Sequence, residues 1–436
     1  MNRFTVQNGF YRCWALLRQN PLFSSIYIVG TALSVALVMV MFILFYVKFA
    51  PIYPEGNRNR TLVLKYVQAT SLTEENSWYG GGVSPRISQD ILRDLPHLED
   101  YALTYEGYAG FDEWAALTKQ AVPMRVLPKY VNDGFWRVFT FRFLSGKPFS
   151  KEEVESAMPV AVISERLARR LFGTEEAVGS QFLFNGQELK VTGVVQEVSW
   201  VTPATAADVW LPMTRHEEAV YSRNNSQLVG NLLLYMTAPT ASDKEALRQE
   251  VNDAFRRYNT SCKEFKYEIF GQPDDYWKSC FRVSYEMDID SALRPFVYFL
   301  LALLLIPALN LGGIVASRMD NRIGELGIRK AYGASNGWLL RQILKENLLF
   351  TSLGSLLGLL LSFLCIRLSS DWLMTLLDAD ISVSMPAPEF TFGMLFQPAV
   401  FGAAVFFCLL LNLLSALLPA LLSLRKSVVE LLHQKR

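Results

Sequence analysis

Four long runs of this chain carry almost no charge: Leu22–Val47, Pro295–Ser317, Leu348–Arg367 and Pro398–Leu424. At 1.5 Å per residue the 26 residues of the first run reach roughly 39 Å, more than the ~30 Å hydrocarbon core of a bilayer requires. Backbone polar groups find no water in that core, so runs of this length fold as spanning helices. The first run also exceeds the apolar stretch of a signal peptide, and Phe45-Tyr-Val-Lys-Phe-Ala50 is a poor small-residue cleavage site, so it reads as a retained span. Charges are dense instead in 55–290. The fold class expected is a membrane α-helical protein with four transmembrane helices and a large α+β extracytoplasmic domain between the first and second spans.

Lysine and arginine in the short flanks set the orientation. The N-terminal tail carries Arg3, Arg12 and Arg18, the segment between the second and third runs carries Arg318, Arg322, Arg329, Lys330, Arg341 and Lys345, and the C-terminal tail carries Arg425, Lys426, Lys435 and Arg436. The opposite short loop, 368–396, has no basic residue and four acids, Asp371, Asp378, Asp380 and Glu389. Both termini and 318–346 are therefore expected in the cytosol. A net charge of +1 gives no strong field to recruit nucleic acid.

Residues 1–20, with Phe4, Phe10, Tyr11 and Trp14 among the arginines, read as an amphipathic helix at the membrane surface, and Asn20-Pro21 opens the first span. In the outer segment, Thr61–Gln68, Val122–Val131 and Leu228–Thr237 read as strands, with further strands near 265–270 and 281–287. Ser84–Leu95 and Ser242–Tyr258 read as helices. Pro159–Ile163 is a strand leading through the cap Ser164 into a helix, Glu165–Phe172, stopped by Gly173. Asn185-Gly186 supplies the positive φ angles of a tight hairpin between Phe182–Phe184 and Glu188–Val195. Cys262 and Cys280 fall outside, where a disulfide is allowed, although no spacing rule fixes pairing.

The basic loop decodes as an elbow. In a helix over about 320–332, Glu325 precedes Arg329 by four, the favoured order for an intrahelical ion pair, and basic residues at its end suit the dipole. Gly333 is a natural left-handed stop and Ser335 can cap the helix that begins near Asn336 and runs into the third span. A merely solvated basic loop would account for the charge but not for the caps. Within the third span Gly354, Gly358 and Ser362 recur every four residues and offer a smooth face for close helix packing.

Catalytic chemistry is sparse. No G-x-x-x-x-G-K-[ST] occurs, so this sequence has no phosphate loop of its own. Gly80-Gly81-Gly82 reads as a flexible loop, and the scattered His97, His216 and His433 make no metal helix. Gly333-Ala-Ser335-Asn-Gly337 fits G-x-S-x-G formally, but a nucleophile elbow needs a preceding strand, and here a helix precedes it. Asn310 and Asn412 are intramembrane polar groups suited to bonding neighbouring helices, and no span carries a central acid or base of the kind an ion-coupled transporter uses.

Arg322-Ile-Gly-Glu-Leu-Gly-Ile-Arg-Lys-Ala-Tyr-Gly-Ala-Ser335 followed by Leu340-Arg-Gln-Ile-Leu-Lys-Glu-Asn-Leu-Leu349 resembles the FtsX/MacB-type permeases of ATP-binding cassette systems. Pro159-Val-Ala-Val-Ile-Ser-Glu-Arg-Leu-Ala-Arg-Arg-Leu-Phe-Gly173, with Ala177-Val-Gly179 and Val191-Thr-Gly-Val-Val195, resembles a MacB-type periplasmic core domain. The resemblance implies 1–20 cytosolic helix, 21–48 first span, 49–293 periplasmic core domain with an inserted subdomain over roughly 131–225, 294–317 second span, 318–346 coupling elbow, 347–367 third span, 368–396 periplasmic loop, 397–424 fourth span and 425–436 tail. It implies a bacterial inner-membrane permease, not itself an enzyme, working as a homo- or heterodimer with a separate cytosolic ATPase that holds the ATP and Mg. The elbow residues that would meet the ATPase are Arg322, Glu325, Arg329, Lys330, Gly333, Ala334 and Ser335. Closure there would be relayed to the outer domain by mechanotransmission. Efflux through a periplasmic adaptor and outer-membrane channel is the leading role, with lipoprotein extraction, or regulation of a cell-wall hydrolase or sensor kinase, as the alternatives.

Overall fold

In a computed structural model the described residues are 21–74, 77–105, 113–199, 202–221, 227–288 and 328–377, with scattered helical residues in 291–302 and 402–417. The chain divides into two units: one comprises 1–46, 293–370 and 392–436, the other 47–292 and 371–391. The N-terminal 1–20 segment and most of the second and fourth expected spans lie outside the described residues.

In the first unit, two helices are long and apolar enough to cross a membrane, at Ser24–Ile43 and Phe350–Leu368. The first belongs to a helix over Pro21–Phe49 and the second to a 42-residue helix over Asn336–Leu377. At 1.5 Å per residue the latter is about 63 Å long, roughly twice a hydrocarbon core. It is one unbroken rod from the basic elbow through the apolar run.

The second unit is built on a mixed sheet. Its strands are β1 (Thr61–Leu64), β4 (Asp100–Tyr105), β5 (Glu113–Ala116), β6 (Met124–Val126), β7 (Pro128–Val131), β8 (Phe143–Gly146), β9 (Val160–Ser164), β10 (Gln181–Phe184), β11 (Gln187–Val195), β12 (Val209–Pro212), β14 (Leu233–Thr237) and β16 (Asp274–Asp275). They run in the order β16-β1-β14-β4-β7-β12-β9-β11-β10-β5-β6, with β8 beside β11. A smaller sheet orders β13 (Val229–Gly230), β3 (Trp78–Val83), β2 (Val67–Ser71) and β15 (Phe265–Glu268).

The large sheet is buried on both faces, which is why its central strands read as continuous apolar runs. Leu62, Leu64, Ile163, Val209 and Leu234 face one core, and Val63, Val162, Trp210 and Tyr235 face the other. The second core is aromatic. Trp136 meets Phe141 and Phe149, and Phe141 stands edge-on to Trp210 at 5.4 Å. The Trp210 indole N–H donates to the Thr205 carbonyl at 3.1 Å, so burying it leaves no orphaned donor.

Local signals act where the sequence places them. The Ser164 hydroxyl accepts from the Leu167 N–H at 3.1 Å, and Gly173 stops helix Glu165–Phe172 at φ +74°. Asn185 and Gly186 take φ +48° and +79° in the β10–β11 turn.

Six elements differ from expectation. Gly80-Gly81-Gly82, expected as a flexible loop, lies within strand β3, where Gly81 and Gly82 closely approach the backbone of residues 230–232, and the strand expected over Leu228–Thr237 divides between β13 of the smaller sheet and β14 of the large one. The strand expected over Thr61–Gln68 breaks into β1 and β2, because the Gln272 amide replaces the ladder. It accepts from Lys65 N–H (2.9 Å) and Tyr66 N–H (3.3 Å) and donates to the Tyr66 carbonyl (2.9 Å). The strand expected over Val122–Val131 splits at Leu127, whose N–H goes to the Asp208 carboxylate at 3.1 Å. The helix expected over Ser84–Leu95 is only Ile87–Asp90, and Pro96 disfavours helical geometry in the residue before it. The strand expected near 281–287 is absent, and the Arg282 side chain binds the carbonyls of Tyr285 and Met287 instead.

Because Trp210 fills the centre of the aromatic core, Trp210→Ala should destabilise the outer unit by about 3–5 kcal/mol. Chemical denaturation of the detergent-solubilised chain, followed by near-ultraviolet circular dichroism, measures this, and a loss below about 1 kcal/mol would contradict the packing described.

Candidate functional site

Two constructions stand out, one in each unit. The first is the elbow. Residues 328–331 are the described end of its first helix, and Arg322 and Glu325 lie outside the described residues. Gly333 takes φ +89°, its N–H donates to the Lys330 carbonyl at 3.0 Å, and the Ala334 N–H donates to the Arg329 carbonyl at 3.0 Å. This reciprocal pair is a Schellman stop, which satisfies carbonyls that a helix end otherwise orphans. One residue later the Ser335 hydroxyl accepts from the Trp338 N–H at 3.3 Å and caps the long helix. Across the turn, the Arg329 guanidinium donates to the Gln342 side-chain oxygen at 2.7 Å. The angle between the two helices is thus held by backbone bonds and by a side-chain strut.

The elbow's surface has a composition that charge counting missed. Ile328, Tyr332 and Trp338 are exposed, Tyr332 at 89%. Gly333, Ser335, Asn336, Arg341 and Lys345 are exposed beside them. Aromatic and apolar side chains rimmed by arginine and lysine are the composition of a protein-binding hot spot. Their sequence signal was available, since Tyr332 and Trp338 stand out as aromatics in a segment otherwise read for its charge.

The long helix packs closely on the first span. A Cβ on Gly354 would stand 2.6 Å from Thr31 Cβ, and one on Gly358 would stand 2.6 Å from the Ala32 carbonyl oxygen. Ser362, the third member of the repeat, is buried with its hydroxyl donated to the Leu359 carbonyl at 2.7 Å. One turn below, Tyr27 and Thr351 share a hydroxyl–hydroxyl hydrogen bond at 3.3 Å, and the Tyr27 ring stands edge-on to Phe350. Small residues let the two backbones approach, and the polar pair fixes their register.

The second construction is a buried ionic knot in the outer unit, where the chain leaves the first long helix. Glu55 and Arg58 have side chains 0% and 3% exposed and pair at 2.7 Å through Nη2, with Arg58 Nε donating at 2.8 Å. The Thr205 hydroxyl donates to the other carboxylate oxygen at 3.0 Å, and the Tyr276 hydroxyl donates to Glu55 as well. Arg58 Nη1 donates to the Ala50 carbonyl at 2.9 Å, and its guanidinium lies 4.9 Å from the centre of the Tyr276 ring. Burial alone lowers the Arg58 pKa, but the adjacent Glu55 carboxylate outweighs it and the net shift is upward. Burial also pushes the Tyr276 hydroxyl well above its ordinary value, so it remains a donor.

A second buried pair continues the knot. Arg282 binds the Asp274 carboxylate through both Nε and Nη2, the latter at 3.1 Å, and its Nη1 donates to the carbonyls of Tyr285 and Met287, each at 3.2 Å. The first pair ties the segment leaving the first helix (Ala50–Arg58) to Thr205 and Tyr276, and the second ties Asp274 of β16 to the segment 282–287. No sequence signal singled these residues out, because their partners are up to 221 positions apart.

Cys262 and Cys280 are free thiols. Cys262 packs against the core that holds Leu62, and Cys280 against the core that holds Val63, on the opposite face of the sheet. The disulfide that the compartment allowed is not formed. Among the described residues no cluster of histidine, cysteine and carboxylates is arranged to hold a metal.

An outer α+β domain tied to membrane-length helices, with a capped basic elbow before the second of them, defines a membrane permease with an extracytoplasmic domain. Residues 24–254 match the family described as MacB-like periplasmic core domain, and 297–428 match the family described as FtsX-like permease C-terminal. The chain belongs to the MacB/FtsX-type ABC transporter permeases.

It is 23% identical over 231 residues to an uncharacterized ABC transporter permease, YknZ, of Bacillus subtilis, covering 52% of this chain and 54% of that one. It is 25% identical over 252 residues to a macrolide export ATP-binding/permease protein, MacB, of Pasteurella multocida, covering 56% of this chain and 36% of that one. The chain therefore spans about half or less of the length of these relatives. The solved periplasmic region of MacB from Actinobacillus actinomycetemcomitans is similar at 11% identity and a TM-score of 0.33, covering 50% of this chain and 92% of that one.

Removing one partner of a buried ion pair strands the other, so Glu55→Ala should cost about 3–5 kcal/mol of outer-unit stability. Replacing both Glu55 and Arg58 by methionine should recover much of that loss, and a double variant no more stable than Glu55→Ala would show that the pair's geometry, not its charge, is what matters. In the membrane unit, Gly358→Leu should separate the two helices, read as loss of a disulfide cross-link between cysteines introduced at Tyr27 and Thr351. Persistence of the cross-link at the unsubstituted rate would refute the close approach.

Proposed function

We propose that this chain is a permease subunit that couples ATP hydrolysis by a separate cytosolic ATPase to conformational change of its extracytoplasmic domain. The observation that carries this reading is the elbow. It is capped on both sides of its turn, strutted by Arg329 and Gln342, and continuous with a single 42-residue helix. A partner that grips the exposed Ile328, Tyr332 and Trp338 moves a rod rather than a tether.

In this mechanism ATP and Mg reside on the partner, and this chain contributes no group to phosphoryl transfer. Closure of the ATPase pushes on Arg329, Lys330, Gly333, Ala334 and Ser335, and on Arg322 and Glu325, which the sequence resemblance adds to the contact. The close contact at Gly354 and Gly358 passes the motion to the first span, because helices packed backbone to backbone cannot slide freely. Beyond the first span the Glu55–Arg58–Tyr276 knot makes the start of the outer domain stiff enough to follow. The topology that fits has both termini and the elbow in the cytosol, four spans, and two permease chains per assembly. Efflux from the periplasmic side, through an adaptor and outer-membrane channel, is the transport role that this arrangement serves.

The test is ATPase stimulation in reconstituted vesicles containing the chain and its ATPase. Glu325→Lys, which reverses the charge beside Arg329, and Gly333→Pro, which cannot adopt φ +89°, should each abolish stimulation while membrane insertion is retained. Stimulation unchanged in both variants, with insertion intact, would sink the proposal.

A further inference from the structure

One of the joins between the two sheets of the outer unit carries a histidine. From β12 of the large sheet the chain passes through a single 3-10 turn, Met213–Arg215, to His216 and the short helix Glu217–Val220. The next strand is β13 of the smaller sheet. The far end of this segment is tied to that side. The Asn231 amide donates to the Glu218 carbonyl at 3.1 Å and to its carboxylate at 2.9 Å, and a Cβ on Gly230 would stand 2.8 Å from the Tyr221 carbonyl oxygen. The near end is plugged into the large sheet by His216 itself. Its ring centre lies 4.8 Å from that of Tyr105 on β4 and 4.6 Å from that of Tyr130 on β7, and both tyrosines are buried.

The surroundings suit a neutral ring. His216 Nδ1 is buried and meets no hydrogen-bond partner among the described residues. A neutral imidazole can present that nitrogen as a bare acceptor, whereas an imidazolium would bury an N–H with nowhere to donate. The charged groups near the ring divide. Glu218 and Glu217 favour the imidazolium, but burial outweighs them and the net shift of His216 is downward. The neighbouring Arg215 guanidinium, bound to the Ala157 carbonyl at 3.0 Å and the Gln187 side-chain oxygen at 2.7 Å, is a like charge. Behind Tyr130, whose hydroxyl burial keeps neutral, stands Glu113 of β5, accepting from that hydroxyl at 3.4 Å.

We propose that His216 is a pH-sensitive plug, neutral when seated against Tyr105 and Tyr130, and that its protonation releases residues 213–221 and slackens this join between the two sheets. In a permease of this family the unit is periplasmic, so the plug faces the medium outside the inner membrane. The device does not rest on coupling to an ATPase. Its sign follows from linkage. The released ring takes a proton more readily than the seated one, so seating is complete above the ordinary imidazole value of about 6.5 and is lost as pH falls below it. Glu113 acts in the opposite sense: burial raises its pKa, so its protonation favours the folded unit as pH falls through the carboxylate range.

The chain has three histidines, which makes the measurement direct. The full chain in detergent micelles, carrying carbon-13 at histidine Cε1 and assigned with His97→Gln and His433→Gln, reports each ring's titration by NMR. His97 is the internal contrast. Its Nδ1 lies 2.6 Å from the Glu250 carboxylate, which raises its pKa, so the two rings should titrate on opposite sides of about 6.5.

Hydrogen exchange over 213–221 supplies the structural readout. Between about pH 7.5 and about pH 5.5, after correction for intrinsic rates, opening should rise by up to about tenfold, the limit at one unit below the free imidazole value. His216→Phe keeps a ring against the tyrosines and should abolish the rise, whereas Glu113→Gln should leave it in place. A His216 that titrates at or above the ordinary value would overturn the plug, and so would a rise in exchange that survives His216→Phe. Because no ATPase is present, failure here is distinguishable from failure of the coupling reading.

Discussion

The outer unit depends on a charge pair placed where charges are least at ease. Glu55 and Arg58 are almost wholly buried, and removing two ions from water costs several kcal/mol apiece. The structure offsets that cost by filling the hydrogen-bond capacity of the carboxylate. Arg58 takes one side of it, the Thr205 hydroxyl the second oxygen, and the Tyr276 hydroxyl joins them. A pair satisfied this fully adds little net stability compared with a well-packed apolar core, but it tolerates no sliding. Small displacements would strand a charge, so the three segments that supply these groups are held together.

The elbow reaches stiffness by a different route. It is exposed, so ion pairs there would be screened and weak. Rigidity comes instead from backbone geometry: a left-handed glycine, two reciprocal N–H to carbonyl bonds and a serine cap one residue later. The Arg329–Gln342 bond adds a long strut across the angle. Each of these bonds is worth about 1 kcal/mol, and several must fail at once for the angle to open. The two sites thus show the same mechanical property built from opposite chemistry, buried charge in one and local backbone bonding in the other.

This difference explains what could be read from the chain alone. The caps at Ser164, Gly173, Gly333 and Ser335 and the Asn185–Gly186 turn were legible, because each is a conversation among residues within five positions. The small-residue spacing of Gly354 and Gly358 was legible as a packing face, but its partner, the first span at Thr31 and Ala32, was not. The ionic knot was invisible, since Glu55, Thr205 and Tyr276 share no spacing and meet only through sheet topology. The same physics misplaced two strands. Gln272 breaks Thr61–Gln68 from some 206 positions away, and Asp208 breaks Val122–Val131 from 81. Propensity at Lys65, Tyr66 and Leu127 carried no trace of either.

The break between β1 and β2 is packed as closely as the knot, and the glycine-bearing strand β3 reaches it through two aromatic rings. Gly80 leaves room for the Tyr285 ring, whose nearest atom would stand 2.8 Å from an added Cβ, and Tyr285 in turn lies 4.8 Å from the Tyr66 ring. Tyr66 belongs to the break between β1 and β2, where the Gln272 amide substitutes for ladder bonds. The Gln272 amide is wholly buried, and besides its bonds to Lys65 and Tyr66 it donates to the Ile269 carbonyl at 2.9 Å, so the junction of the two sheets is held by a fully bonded side chain in place of ladder bonds.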